Sequence, residues 1–312
     1  MKSFFGKIGK HAGVASLLGG VFLFSTVELA SKRLQDLDVQ VDADVLVFLR
    51  FFITGIVLIS LGYPGFRREG KKIVARDLGL FAMNGVVGVT LAIYLFHIAI
   101  NMFTNASSSA VVFSVNPVFV MILARFINGE KWTARKWVSA SVASVGVMLF
   151  AMESGNFDMK SLASVGVMSA SACLFALSTC IAKRVMSRYG AMMFVGFSSL
   201  FGSLFLVPII AFRFTPDMSA EIMKGIWIIL YLSLVGTALG YALYFYGVMR
   251  TSAQGGSMSF FLKPVLASVL SVLIRPEETI SMPMALGTTF ILCGLFLAVL
   301  LPMVLKRRKE TT

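Results

Sequence analysis

The chain has 312 residues, 57% hydrophobic and 14% charged, with a formal net charge of +13. Soluble domains carry about 25% charged residues, so this composition excludes a soluble enzyme domain, a disordered chain and a coiled coil. The apolar runs are long and continuous rather than alternating ten-residue segments, which excludes a β-barrel and leaves an all-α polytopic membrane protein.

At about 20 apolar residues per crossing, ten spans are expected: 14–33, 44–62, 78–97, 103–125, 135–152, 161–182, 190–212, 225–248, 254–274 and 283–305. Ahead of the first, Lys2, Lys7 and Lys10 with Phe4, Phe5 and Ile8 fit either a short interfacial helix or a frayed terminus. The basic start and Ala30 resemble a signal peptide, but the run is long and carries Glu28, so the segment is expected to be retained. The third and fourth spans meet across His97–Thr104 with no charged residue, which demands a tight apolar turn. Gly, Pro or charge marks the other breaks. Trp132, Trp137 and Trp227 fall at span ends, where interfacial belts place them. Cys173, Cys180 and Cys293 lie inside apolar runs without metal or disulfide spacing, and neither metal nor cofactor is expected.

Alternating the spans from an inside N-terminus puts twenty Lys and Arg on the inner side and six on the outer, leaving Arg50 and Lys263 within the membrane. This positive-inside bias predicts a multi-pass protein of the cytoplasmic membrane with both termini cytoplasmic. It also makes the lipid bilayer, not nucleic acid, the partner that the positive charge serves. Asp36, Asp38, Asp42 and Asp44 crowd the first outer loop. The Lys306–Lys309 cluster reads as a topology anchor on an anionic leaflet.

The chain also repeats itself. Gly88, Thr104-Asn105-Ala106 and Asn116-Pro117 recur as Gly236, Thr251-Ser252-Ala253 and Lys263-Pro264, at an offset of 148 for the glycines and 147 for the rest. Glu130 and Gly146 recur as Glu278 and Gly294. Residues 1–156 and 157–312 thus read as two five-helix units. Five is odd, so the second unit must enter the bilayer upside down. Inverted repeats are the construction of secondary transporters, which bind substrate near the midplane where the units meet.

Arg50 in the second span, Pro117 followed by the stretch Arg125-Phe126-Ile127-Asn128-Gly129-Glu130-Lys131, and Gly146 in the fifth span are echoed by Pro264, Glu278 and Gly294. On these residues the chain resembles the EamA family of the drug/metabolite transporter superfamily over nearly its whole length. The second unit departs from the pattern: Arg275-Pro276-Glu277-Glu278 replaces a Gly-Glu corner, and no Arg matches Arg50. The resemblance implies ten helices in two inverted five-helix repeats, alternating access and net export. Family members export amino acids, drugs or other metabolites, and relatives carry nucleotide sugars, triose phosphates or choline. It therefore implies a mechanism more than a substrate.

Charges at bilayer depth are costly, which makes each a functional candidate. Asn116 and Lys263 stand in equivalent positions, each before a proline that removes a backbone donor. Lys263 offers a cation to an anionic group and Asn116 a neutral donor and acceptor, unless Lys263 only ties freed carbonyls together. Glu28 and Arg50 lie at matching depth on neighbouring antiparallel spans. That predicts an ion pair, serving as a structural clamp or as part of an outer gate or substrate site. His97 reads as a hydrogen-bonded packing residue or as a proton-coupling group. Asn84, Asn101, Asn105, Tyr94, Tyr241, Tyr244 and Tyr246 flank the expected cavity, as binding groups or as interhelical partners. Glu130 and Glu278, beside Thr133 and Ser281, are expected to serve helix starts. Small residues at 107–109 and 255–256 allow close approach of moving halves.

The chain has no Walker A, HExxH or GxSxG motif and no intramembrane carboxylate pair, and His11 and His97 are its only histidines. An enzyme is therefore not expected. The expected protein is a secondary carrier working by alternating access. One acid, Glu28, with the bases Arg50 and Lys263, amides and aromatics favours a zwitterionic or anionic small-molecule substrate, amino acids first. Protons are the candidate coupling ion, and a monomer or weak dimer the expected assembly. A cationic drug or amine exporter, a channel and a lipid-moving protein stand as alternatives.

Overall fold

Backbone amides inside a bilayer find no water, so each crossing must satisfy its own hydrogen bonds. The computed structural model describes residues 2–70, 72–103, 106–153, 159–213, 215–274 and 282–297, and every regular element among them is helical. In chain order these are α1 (Lys2–Asp36), α2 (Ala43–Arg68), α3 (Ala75–Met102), α4 (Ala106–Phe113), α5 (Asn116–Ile127), α6 (Ala134–Glu153) and α7 (Met159–Tyr189). They continue with α8 (Ala191–Phe212), α9 (Pro216–Lys224), α10 (Ile226–Arg250), α11 (Ala253–Ser257), α12 (Lys263–Ile274) and α13 (Met282–Leu295). Six helices among the described residues are long and apolar enough to cross a membrane, in α1, α2, α3, α7, α8 and α10. The chain is a polytopic all-α membrane protein.

Two details differ from the expected spans. The backbone before the first span is neither a separate interfacial helix nor frayed, because α1 begins at Lys2 and runs on without a break. The fourth span is divided into α4 and α5, and the ninth into α11, a 3-10 segment Met258–Leu262, and α12. Pro117 and Pro264 are the second residues of α5 and α12. A missing N–H is harmless in a first turn, so each proline starts a helix instead of kinking one. Asn105, Glu278, Ser281 and the Lys306–Lys309 cluster lie outside the described residues.

The glycines that marked the repeat sit on wide turns. α3 and α10 each pass into a π-helical segment, Val86–Leu91 and Leu232–Leu239, holding Gly88 and Gly236. A Cβ on Gly88 would collide with Ser178 Oγ, and one on Gly236 would meet Val27 Cγ2 at 3.0 Å. The bare backbone lets α7 and α1 press directly on these turns.

The helix contacts come in matching pairs. α1 packs along α10 as α3 packs along α7, and α12 lies on α1 as α5 lies on α7. α2 meets α10 as α8 meets α3, while α2 pairs with α8 and α6 with α13. Lipid tails are as apolar as leucine, so such contacts rest on close packing of small residues rather than on the hydrophobic effect. The α6–α13 contact shows it: a Cβ on Gly146 would stand 2.6 Å from Gly287 O, and one on Gly294 2.7 Å from Ser139 O.

Candidate functional site

Where α1, α2, α3, α4, α7, α10 and α12 converge, a cavity of about 30 Å³ remains. Its lining comprises Phe24 and Val27 of α1, Arg50 of α2, Ile93 and Phe96 of α3 and Phe113 of α4. Phe175 of α7, Tyr241 of α10, Phe260 of the 3-10 segment and Lys263 of α12 complete it. A ligand pocket needs roughly 300–1,000 Å³, so this conformation is contracted around a space for a water or two.

Lys263 is delivered to the cavity by the break in the ninth span, as the first residue of α12. Its Nζ pairs with Glu28 Oε1, both side chains being buried at 3% and 0% exposure. The ammonium also lies over the rings of Phe113 and Phe96, 4.6 and 4.9 Å from their centroids. Ser25 Oγ donates to Val21 O at 2.9 Å and reaches Lys263 O at 3.4 Å.

The expected ion pair between Glu28 and Arg50 is corrected here. Glu28 is taken by Lys263, and Arg50 turns toward α10. Its Nε and Nη2 donate to Thr237 Oγ1 at 3.1 and 2.7 Å, and Thr237 passes its own proton to Leu232 O at 2.6 Å. This fork-shaped contact falls on the π segment, whose wide turn presents Thr237 to α2. Arg50 Nη1 donates to His97 Nε2. A guanidinium has no acceptor, so His97 must offer a lone pair at Nε2 and is neutral in this arrangement, with its proton on Nδ1. The cavity wall therefore holds two basic side chains, Arg50 and Lys263, with the Glu28 carboxylate paired to Lys263 outside the lining.

The remaining expected site residues divide. Tyr241 lines the cavity and stands edge-on to Phe24 and Phe51. Tyr244 is fully buried one turn further along, packed on Phe24, Phe175, Phe245 and Phe260. Asn116 is buried and donates from Nδ2 to Ala172 O of α7 at 2.8 Å. It thus ties α5 to α7 much as Lys263 ties α12 to α1, without lining the cavity. Asn84 donates to Ser198 Oγ at 3.2 Å between α3 and α8, also away from the lining. Tyr94 is half-buried and outside the lining. Tyr246 stacks under Arg250 at 5.2 Å.

Glu130 serves a helix start, but not its own. Its two carboxylate oxygens accept from Ala253 N at 2.7 Å and Gln254 N at 3.2 Å, capping α11 from the other half of the chain. Lys136 Nζ donates to Gln254 Oε1 beside it.

Sequence reasoning points to a wall of Tyr and Phe around the cavity but singles out neither its individual phenylalanines nor Thr237. A signal for part of the wall existed: Phe24 and Phe175 differ by 151, and so do Val27 and Ser178, which press on the two glycines of the π segments. No signal marked Thr237 as the acceptor of Arg50.

The sequence matches the EamA-like transporter family twice, over residues 11–152 and 163–300. It is 29% identical over 290 residues to an uncharacterized transporter of Clostridium kluyveri, covering 91% of this chain and 92% of that protein. It is 25% identical over 226 residues to a probable terminal-alkyne amino-acid exporter of Streptantibioticus cattleyicolor, covering 71% and 72%. A solved crystal structure with 17% sequence identity superposes with a TM-score of 0.74, covering 94% of this chain and 98% of that one, which establishes the shared fold.

Proposed function

The chain belongs to the EamA-like transporter family, and from that premise we propose that it is a secondary carrier for a small carboxylate-bearing metabolite, amino acids foremost. The observation that carries this reading is the Lys263–Glu28 pair, set beside Arg50 in an aromatic-walled cavity. Two buried charges of opposite sign are tolerable because they face each other. A zwitterion offers the same two charges in the same order. Its carboxylate takes the place of Glu28 before Lys263, its ammonium takes the place of Lys263 before Glu28, and no charge is stranded at any stage. The spare positive charge of Arg50 further favours the carboxylate end, and the rings accept the side chain. Two cations around one acid weigh against a cationic drug or amine.

The carrier reading takes residues 1–156 and 157–312 as inverted repeats with both termini cytoplasmic. The two family matches, the matched helix packings, the paired π segments and the paired proline-started helices support the repeat. The positive-inside bias supports the orientation. With binding groups drawn from both halves, opening the two ends of the site in turn would expose it alternately to each side. Export across a bacterial cytoplasmic membrane is the direction that the name of the Streptantibioticus relative suggests.

Counterflow tests this. Proteoliposomes are loaded with unlabelled amino acids and given trace labelled ones outside. Transient overshoot is expected with the wild-type chain and none with Lys263→Ala. Folded, reconstituted wild-type protein that shows no overshoot for any amino acid would overturn the amino-acid reading.

A further inference from the structure

Two lysines that fall among the loop charges counted above make the same kind of contact, an ammonium on the terminal carbonyls of a neighbouring helix. Lys32 Nζ, near the end of α1, donates to Phe103 O at the end of α3 at 2.5 Å. Lys183 Nζ, near the end of α7, donates to Val248 O, Met249 O and Thr251 O at the end of α10, at 2.7, 2.9 and 3.2 Å. The numbers align as well as the partners. Lys32 follows the cavity residue Phe24 by eight positions, and Lys183 follows the cavity residue Phe175 by eight. At the helical rise, each lysine stands about 12 Å along its helix from the cavity. In the carrier reading α1 is the first crossing and α7 the sixth, so these displacements point to opposite faces of the membrane.

What the lysines hold is equally specific. The outer part of α3 with α4 is bounded by the π segment at Val86–Leu91 and by the start of α5 at Asn116-Pro117. The matching part of α10 with α11 is bounded by the π segment at Leu232–Leu239 and by the start of α12 at Lys263-Pro264. Each is a pair of consecutive helices, called a hairpin below, with an irregular segment at either root, which is where helices bend; the first is described up to Phe103 and again from Ala106. Both hairpins carry cavity residues: Ile93, Phe96 and Phe113 on one, Tyr241 and Phe260 on the other. Each lysine grips a hairpin near its tip, at the last carbonyls of a helix, where the backbone dipole attracts a cation. A topology anchor has no need of that grip, since it is served by lipid phosphate and water. A long flexible stem can surrender such carbonyls to water and take them back at small cost. Lys183 holds the inner tip from within its own half, and Glu130 of the other half holds it a second time, on the amides of Ala253 and Gln254.

We propose that Lys32 and Lys183 are gate residues, each clipping the tip of one hairpin over the cavity, and that transport releases the two clips in turn. With both clips made, the two hairpins stand contracted around the cavity, in keeping with its small volume. The proposal rests on the carrier reading, but it concerns access and not substrate.

Its test therefore needs no substrate. The background is the chain with Cys173→Ala, Cys180→Ala and Cys293→Ala, and Ile93→Cys places one thiol in the cavity wall. Right-side-out and inside-out vesicles are exposed to a membrane-impermeant maleimide. Lys32→Met is expected to raise the labelling rate about tenfold from one face only, the effect of losing one charge-assisted hydrogen bond from a closed state. Lys183→Met is expected to do so from the opposite face only. Lys32→Arg and Lys183→Arg, which keep the charge and the donors, are expected to stay near the parent rate. Equal acceleration from both faces would reveal general loosening and overturn the proposal, as would no change in either variant. Sided labelling alongside absent amino-acid counterflow would sink only the substrate reading. Unsided labelling alongside intact counterflow would sink only the clips.

Discussion

Lys263 and Glu28 form a buried ion pair that joins α12 to α1 across the two halves of the chain. Removing one partner of such a pair strands the other charge at a cost of about 3–5 kcal/mol, whereas replacing both with apolar residues of similar volume is nearly neutral. Lys263→Met and Glu28→Leu are each expected to lower the unfolding temperature in detergent sharply. The double variant is expected to recover most of that loss while counterflow stays absent in all three. Transport that returns with stability in the double variant would reduce the pair to a clamp.

Arg50 and His97 make a second, separable prediction. His97 accepts a hydrogen bond from Arg50, and Gln can accept one in its place. His97→Gln is expected to fold and to transport with the wild-type dependence on pH. His97→Leu leaves a buried guanidinium N–H without its partner and is expected to cost about 1–3 kcal/mol. Arg50→Lys cannot reproduce the forked contact to Thr237 and is expected to abolish counterflow. A pH profile flattened by His97→Gln would make His97 the proton carrier instead.

The rings around Lys263 can be tested by losing their aromatic faces while keeping an apolar side chain in place. Phe113 and Phe96 stand 4.6 and 4.9 Å from the ammonium. A cation over an aromatic face is worth about 2 kcal/mol when desolvated. Phe113→Leu and Phe96→Leu are each expected to lower stability by roughly that much and to raise the half-saturating substrate concentration. Retained affinity in both would leave the rings as packing alone.

How much of this was legible in the sequence depends on the kind of contact. Composition and run length suffice for the all-α membrane class, and the offset anchors Gly88 and Gly236 mark equivalent positions, although nothing in the sequence says that the turns there are π-helical. Intramembrane charge picked out Arg50, Lys263 and Glu28, and all three meet near the cavity. Their pairing was misjudged because depth on neighbouring spans says nothing about rotation about the helix axis. The break before Pro264 frees Lys263 to reach α1, and the π turn carries Thr237 to Arg50; neither displacement follows from a regular helical period. Asn84 and Tyr94 were drawn in by proximity along the chain, yet Asn84 spends its donor on Ser198. Lys32 and Lys183 were counted as loop charge because a lysine that grips helix carbonyls looks the same in sequence as one that faces water.

The α6–α13 contact supplies the last prediction, on the scaffold and not the site. A Cβ on Gly146 would lie 2.6 Å from Gly287 O and 2.9 Å from Ile291 N, and one on Gly294 would lie 2.7 Å from Ser139 O. The obstacles are backbone atoms, which cannot swing aside as a side-chain tip can, so the two helices must separate along their length. Overpacking of this kind costs about 1–3 kcal/mol, and in lipid no hydrophobic gain offsets it. Gly146→Ala and Gly294→Ala are each expected to destabilise by that amount, and together by less than the sum, since the first separation makes room for the second methyl. Gly166 in α7 has nothing within 4 Å of its would-be Cβ. Gly166→Ala is therefore expected to be neutral or to stabilise by up to about 1 kcal/mol through lower backbone entropy. Thermal unfolding in one detergent would rank the four variants against the wild-type chain. A ranking with Gly166→Ala lowest would show that glycine at 146 and 294 serves something other than the close approach of α6 and α13.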